Sequence, residues 1–180
     1  PAERLHLPGL ERLISLDTPR NILDTPDTPL STEDHPYHPE LRDHLRLYLQ
    51  NLEAVRLDPR RHPEGDLLYH SLQVFQLARN HYPWDEEFLL ASLLHDIGYA
   101  LDRRHPQRAL LHAVEPHLTP RTLFFLEHLP DAHYYLATGK IRTSLRKSDD
   151  FEILILLARL DLEGRVCGGI APTLDEALDY

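Results

Sequence analysis

Apolar side chains recur along this chain at the three- and four-residue spacing of amphipathic helices. From residue 41 onward this spacing predicts helices over 41–57, 67–80, 85–97, 107–114, 119–128 and 149–163, with a short one over 173–178. Asp66 is a suitable N-cap for the second helix, and the carboxylates of Asp85 and Glu86 suit the positive start of the third. No alternating apolar runs flank a hairpin turn, and no strand–helix–strand rhythm occurs. The pattern therefore predicts an all-α fold, a single compact helical bundle.

The N-terminal part of the chain has a different pattern. Residues 9–16 predict one short helix, and the segment that follows contains Pro19, Pro26, Pro29, Pro36 and Pro39. Because proline has no amide hydrogen and cannot continue a helix, this density indicates an extended arm. We predict that residues 1–40 form a helix and a proline-rich arm packed on a domain formed by residues 41–180. Residues 131–148 are interpreted as a variable or lid region.

Composition narrows the function classes. The length of 180 residues suits one domain, and the formal net charge of −10 argues against strong binding to nucleic acid or an anionic membrane. The single Cys167 cannot form an internal disulfide. No apolar stretch is long enough for a bilayer, and no secretory signal is recognisable. We expect a cytoplasmic protein with a small-molecule partner.

Four ionisable residues lie within apolar, helix-like segments: His70, His95, Asp96 and Asp161. A lone histidine on an apolar face is usually a hydrogen-bonded core residue, and Asp161 has Arg159 and Arg165 as alternative partners. A buried carboxylate without a partner is nevertheless costly, and one cation bound by all four residues would account for them together. Imidazole and carboxylate ligands suit Mn, Fe, Mg, Co or Ni. We therefore predict one or two bound divalent ions.

The order of these residues resembles the HD superfamily of metal-dependent phosphohydrolases. The segments RHPEGDLLYH (61–70), LLHDIG (93–98), RRHPQRA (103–109), LFFLEH (123–128) and LARLDLEGR (157–165) look like their counterparts in the HD domain of bacterial CCA-adding enzymes. The resemblance runs in order from residue 60 to residue 166. No counterpart of the nucleotidyltransferase or tRNA-binding parts is seen, so the resemblance implies a stand-alone HD domain and not CCA addition.

This resemblance implies a phosphomonoesterase or phosphodiesterase that acts on a nucleotide or a related small phosphate ester. His70, His95, Asp96 and Asp161 would be the core metal ligands, and Asp96 would also orient the attacking water. In HD proteins with two ions, further histidines complete the second site, for which His105 and His128 occupy suitable places; His112 and His117 are alternatives. His105 could equally be an ordinary loop residue.

Phosphate recognition needs positive donors. The candidates are Arg61, Arg103, Arg104, Arg108, Lys140 and Arg142, and the basic run that begins at Lys140 could also be a solvated face. Tyr99 stands where many HD proteins have a lysine, and no carboxylate follows the HD pair to act as a general base. Two alternatives therefore stay open: a non-catalytic metal- or nucleotide-binding regulatory HD domain, and a helical domain with a coincidental pattern.

Overall fold

The computed structural model describes residues 39–180, with side chains from residue 41. Its helices are α1 (Pro39–Asn51), α2 (Leu67–His81), α3 (Glu86–Leu94), α4 (Gly98–Leu101), α5 (Pro106–Val114), α6 (Pro120–Thr138), α7 (Thr143–Arg146), α8 (Phe151–Glu163) and α9 (Leu174–Leu178). A 3-10 turn, Leu52–Ala54, follows α1. Within the described residues no strand forms beyond one isolated bridge between Arg56 and Asp66, so the all-α prediction is confirmed.

The predicted N-terminal helix and the proline-rich arm lie outside the described residues, and their packing on the domain stays a prediction. None of the helices between residues 39 and 180 combines the length and the apolar character needed to cross a lipid bilayer.

Four of the longer helices surround the core. Helix α6 packs against α3 and α8, and α2 packs against the same two helices. Their apolar faces bury large side chains completely, as the edge-to-face rings of Phe88 and Phe125 show, with centroids 6.0 Å apart. Helices α1 and α9 pack together at one side, and α4 packs on α5. The four-helix core therefore excludes water from the inward-facing positions of α2, α3, α6 and α8.

Local sequence signals account for most helix starts. The Asp66 carboxylate accepts from the Tyr69 amide at 2.8 Å and caps α2 as predicted, and Asp85 caps α3 by accepting from the Phe88 amide. The predicted C-terminal ends of two helices are wrong. Helix α1 stops at Asn51 rather than near residue 57, and α3 stops at Leu94, after which Gly98 begins α4 instead of terminating a helix.

Gly98 is required by close packing. A Cβ atom at this position would lie 2.0 Å from the carbonyl oxygen of Pro106, the first residue of α5. The backbones of α4 and α5 can approach this closely only because position 98 has no side chain. The segment just before it, which carries His95 and Asp96, is thereby held against the start of α5.

Helix α6 is longer than the sequence predicted, because it continues through Pro130 to Thr138. Proline removes the amide hydrogen that would bond the carbonyl of Leu126, four residues earlier. The Gln107 amide of α5 supplies the missing donor: its Nε2 lies 2.8 Å from that carbonyl oxygen. Residues 131–138 are therefore helical, and Gly139, at φ +73°, ends the helix. The interpretation of residues 131–148 as a variable or lid region stays a prediction.

Arg121 joins the N-terminal ends of three core helices. It donates to the Asp85 carboxylate through Nη1 at 2.6 Å and Nη2 at 2.8 Å, and to Asp150, just before α8, through Nε at 2.8 Å. Burial alone would raise the pKa of Asp85, but the Arg121 and Phe88 donors hold it below its usual value. This ion pair fixes α3, α6 and α8 relative to one another.

We expect Gly98→Ala to lower the free energy of unfolding by about 1–3 kcal/mol, because the added methyl group collides with a backbone carbonyl. Urea denaturation measures this loss. Gly139→Ala is the matched control: it adds the same atom in open space and introduces only the strain of its positive φ, about 1–2 kcal/mol. A Gly98→Ala protein as stable as the parent would show that the two backbones do not approach this closely.

Gln107→Leu should cost about 1–3 kcal/mol in the parent, because the Leu126 carbonyl loses its donor. In a Pro130→Ala background the restored amide hydrogen takes that place, and the cost of Gln107→Leu should fall by at least about half. A double-mutant cycle on unfolding free energies tests this coupling. If Gln107→Leu lowers the free energy of unfolding equally in both backgrounds, the Gln107 hydrogen bond does not compensate for the proline.

Arg121→Gln should cost about 1–2 kcal/mol at neutral pH, because partly buried hydrogen bonds to charged groups are lost. The lowered pKa of Asp85 means that its contribution is complete above the unfolded pKa of about 4 and disappears as pH falls through the folded value. The stability gap between parent and variant should therefore narrow below about pH 4. A gap that stays constant down to pH 2 would exclude Asp85 as the group responsible.

Candidate metal centre

The four residues predicted as ligands meet in the core from three parts of the chain. His70 lies in the second turn of α2, His95 and Asp96 form the turn between α3 and α4, and Asp161 lies in the last turn of α8. His70 is fully buried, and His95 and Asp161 are 7% and 4% exposed. The Asp96 side chain is 13% exposed, so it forms the most accessible part of the cluster.

Three of these residues, His70, His95 and Asp161, have ligand atoms close enough to one another to hold one cation, and Asp96 lies beside the two histidines. His70 Nε2 lies 2.9 Å from Asp161 Oδ1 and 3.3 Å from His95 Nε2, and Asp96 Oδ2 lies 3.4 Å from His95 Nε2 and 3.8 Å from His70 Nε2. Ligand atoms bound at about 2.1 Å with tetrahedral or octahedral angles are roughly 3.0–3.4 Å apart. The donor set and its spacing thus suit a divalent metal ion.

The outer nitrogens of both imidazoles are engaged elsewhere. His95 Nδ1 donates to the Ser92 carbonyl at 2.8 Å, and His70 Nδ1 lies 3.2 Å from Glu64 Oε1. A hydrogen bond at Nδ1 fixes the ring and leaves Nε2 facing the cluster, which is the arrangement of metal-binding histidines.

Without a cation, protons and hydrogen bonds balance the charge of the cluster. Burial alone would lower the pKa of His70, but Asp161, Glu64 and the charge of Asp96 raise it to about 10. Burial would raise the pKa of Asp161, but donors from His133 and His70 hold it far below its usual range. A metal ion needs the Nε2 lone pair, so binding must displace the proton from His70.

Asp161 has two further partners. Arg165 Nη2 lies 3.0 Å and 3.1 Å from its two oxygens, and His133 Nε2 lies 2.6 Å from Oδ2. The Arg165 pairing raised as an alternative is therefore present, yet Asp161 stays beside His70 and 4.0 Å from His95. The ion pair and the histidine cluster coexist at one carboxylate.

Sequence reasoning missed three residues around the site. His133 was overlooked because this helix was predicted to end at residue 128 and residues 131–148 were interpreted as a variable or lid region. His62 and Glu64 belong to the HPEGD segment, whose likeness to the HD domain was noted without a role for either side chain. Two groups of ligand atoms in the described chain lie within 4.8 Å of one another: His70, His95 and Asp161, and His62, Glu64 and His70.

The predicted ligands of a second ion are placed apart from these groups. The His105 ring is 67% exposed, with Nδ1 3.5 Å from Asp102 Oδ2, and the alternatives His112 and His117 are exposed on α5 and just after it. His128 Nδ1 lies 3.1 Å from Asp131 Oδ2. A second ion at His105 and His128 stays a prediction.

The predicted phosphate-binding residues are all exposed: Arg61, Arg103, Arg104, Arg108, Lys140 and Arg142. Arg142 donates to Asp131 at 2.7 Å, while Arg165 is the cation that the structure places against Asp161. The role of the exposed residues in substrate binding stays a prediction.

Comparison of the chain with protein-family models gives no match, and a search of curated proteins gives none either. The function is therefore inferred from the geometry of the cluster and the motifs of the sequence.

Proposed function

We propose that this protein is a metal-dependent phosphohydrolase of the HD type, acting on a nucleotide or a related small phosphate ester. One observation carries the proposal: the Nε2 atoms of two buried histidines lie 3.3 Å apart, with carboxylate oxygens of Asp161 and Asp96 beside them. Two imidazole nitrogens that face each other beside two carboxylates form a donor set that a divalent cation would hold together once the His70 proton is displaced.

The ligands would be Nε2 of His70 and His95 with one oxygen each of Asp96 and Asp161. Two nitrogens and two oxygens favour Mn, Fe, Co or Ni over Mg, which prefers oxygen alone. A bound divalent ion would polarise a phosphoryl oxygen and make water a stronger nucleophile at neutral pH.

Asp96 is placed to serve the reaction as well as the ion. Its partly exposed carboxylate lies at the rim of the cluster, so one oxygen can ligate while the other accepts a hydrogen bond from water and orients it. Among the four ligands, Asp96 is therefore the residue to which we assign the catalytic role.

The surroundings of Asp161 suit an anionic substrate. Arg165 and His133 place donors beside the cluster, and their side chains are 23% and 29% exposed, so both can reach solvent. Burial raises the pKa of the Tyr99 phenol, and the charges of Asp96 and Asp161 raise it further. Tyr99 thus stays a hydrogen-bond donor in the place where many HD proteins carry a lysine.

One observation favours the regulatory alternative. Both oxygens of Asp161 already accept hydrogen bonds, from Arg165 and from His133, in a way typical of a structural ion pair. A domain that binds a metal or nucleotide without turnover would retain the cluster and lack a general base.

We expect the purified protein, loaded with Mn²⁺ or Co²⁺, to hydrolyse p-nitrophenyl phosphate, its bis ester or a nucleotide. Chelation should abolish the activity and metal should restore it. Asp96→Ala removes a ligand and the water-orienting group together, so turnover should fall by about 100-fold or more while the far-UV spectrum stays helical. Asp149→Ala, which removes an exposed carboxylate just before α8, is the control and should retain parental turnover.

Activity that survives chelation, or an Asp96→Ala protein as active as the parent, would contradict the proposal. A protein that binds metal tightly and hydrolyses none of these esters or nucleotides would favour the regulatory alternative.

A further inference from the structure

Glu64 occupies an unusual place for a carboxylate. Its side chain is completely buried, although it belongs to the loop that precedes α2. Its Oε1 lies 3.2 Å from Nδ1 of His70 and 3.0 Å from Nδ1 of His62. The opposite nitrogen of His70 faces Asp161 at 2.9 Å, so one imidazole is held between two carboxylates.

The second oxygen of Glu64 shows that packing alone does not explain the residue. Oε2 is buried, and no hydrogen-bond partner reaches it within the described structure. An unsatisfied buried oxygen lowers stability, and an apolar side chain of similar size would avoid that loss. What a carboxylate supplies here, and an apolar side chain would not, is an acceptor for Nδ1 of His70 and of His62.

The backbone around Glu64 is held at both sides. The Leu67 amide donates to the Val55 carbonyl at 3.1 Å, which joins the loop to the residue after the 3-10 turn, and Asp66 caps α2. Gly65 adopts φ +114°, a conformation that side chains rarely permit. These contacts fix the backbone of the loop and so hold the Glu64 carboxylate beside His70.

We propose that Glu64 is a positioning residue for the metal centre, acting through His70. As the nearer acceptor of the Nδ1 proton, at 3.2 Å against 3.4 Å for the Gly164 carbonyl oxygen, it fixes the ring orientation and directs the Nε2 lone pair to the ion. This inference rests on the proposed function, because it requires that His70 bind a metal. Glu64 would contact the ligand His70 and not the ion itself. A carboxylate in such a position raises the basicity of the imidazole it contacts.

The test uses the full chain and Co²⁺ alone. Affinity is measured by competition with a chromophoric chelator, coordination by the visible spectrum of bound Co²⁺, and stability by thermal denaturation. Glu64→Leu removes the acceptor at similar size, and Glu64→Gln keeps an oxygen that can accept from Nδ1. Gln73→Leu is the matched control, because Gln73 is a buried polar residue of α2 whose amide bonds the Val166 carbonyl.

Glu64→Leu should weaken Co²⁺ binding by about 10- to 100-fold and alter the visible spectrum, with Glu64→Gln recovering much of the affinity. Gln73→Leu should bind as the parent does, even if its melting temperature falls. Equal affinities in Glu64→Leu and parent, or equal losses in Glu64→Leu and Gln73→Leu, would overturn the inference. So would a parent that binds two Co²⁺ ions of which Glu64→Leu loses one, because Glu64 would then be a ligand.

These outcomes separate the inference from the proposed function. A parent that binds Co²⁺ and turns over substrate, with Glu64→Leu unchanged in affinity, refutes only the role of Glu64. A parent that binds no Co²⁺ refutes the metal centre and this inference with it. A parent that binds Co²⁺ without hydrolysis refutes the enzymatic proposal, while the affinities still decide the role of Glu64.

Discussion

The buried imidazole of His70 needs a polar partner at each of its nitrogens, and much of the structure serves that need. Glu64 meets Nδ1 from the loop before α2, and Asp161 meets Nε2 from the last turn of α8. Both contacts depend on α2 packing directly against α8 in a core that excludes water. In that surrounding, charges interact more strongly than at the surface, and a missing partner would be correspondingly costly.

Different elements position the other residues of the cluster. Long helices supply His70 and Asp161, whose positions follow from core packing, whereas His95 and Asp96 come from a tight turn that Gly98 holds against α5. Arg165 and His133 balance the carboxylates from the outer side. These donors offset negative charge that would otherwise be costly in a core that excludes water.

Much of this arrangement was predictable from the sequence, because helical periodicity, N-caps and misplaced ionisable residues are local signals. They predicted the all-α fold and the cap at Asp66, and they singled out His70, His95 and Asp161, which the structure brings together with Asp96 beside the two histidines. The features that the sequence did not predict depend on contacts with residues distant in the chain. The predicted end of α6 at residue 128 excluded His133, because the Gln107 donor that replaces the missing amide hydrogen of Pro130 comes from another helix. Glu64 was missed because nothing in its own segment shows which imidazole it will contact.

Pro130 and Gln107 are separate in sequence yet depend on each other, and this has a historical consequence. Proline at position 130 leaves the Leu126 carbonyl without its helical donor, and the Gln107 amide replaces it. A chain that acquired the proline first would have carried an unsatisfied carbonyl, whereas a glutamine acquired first would have been neutral. Glutamine first is thus the less costly order of change, and a related chain without a donor at position 107 is expected to lack proline at position 130.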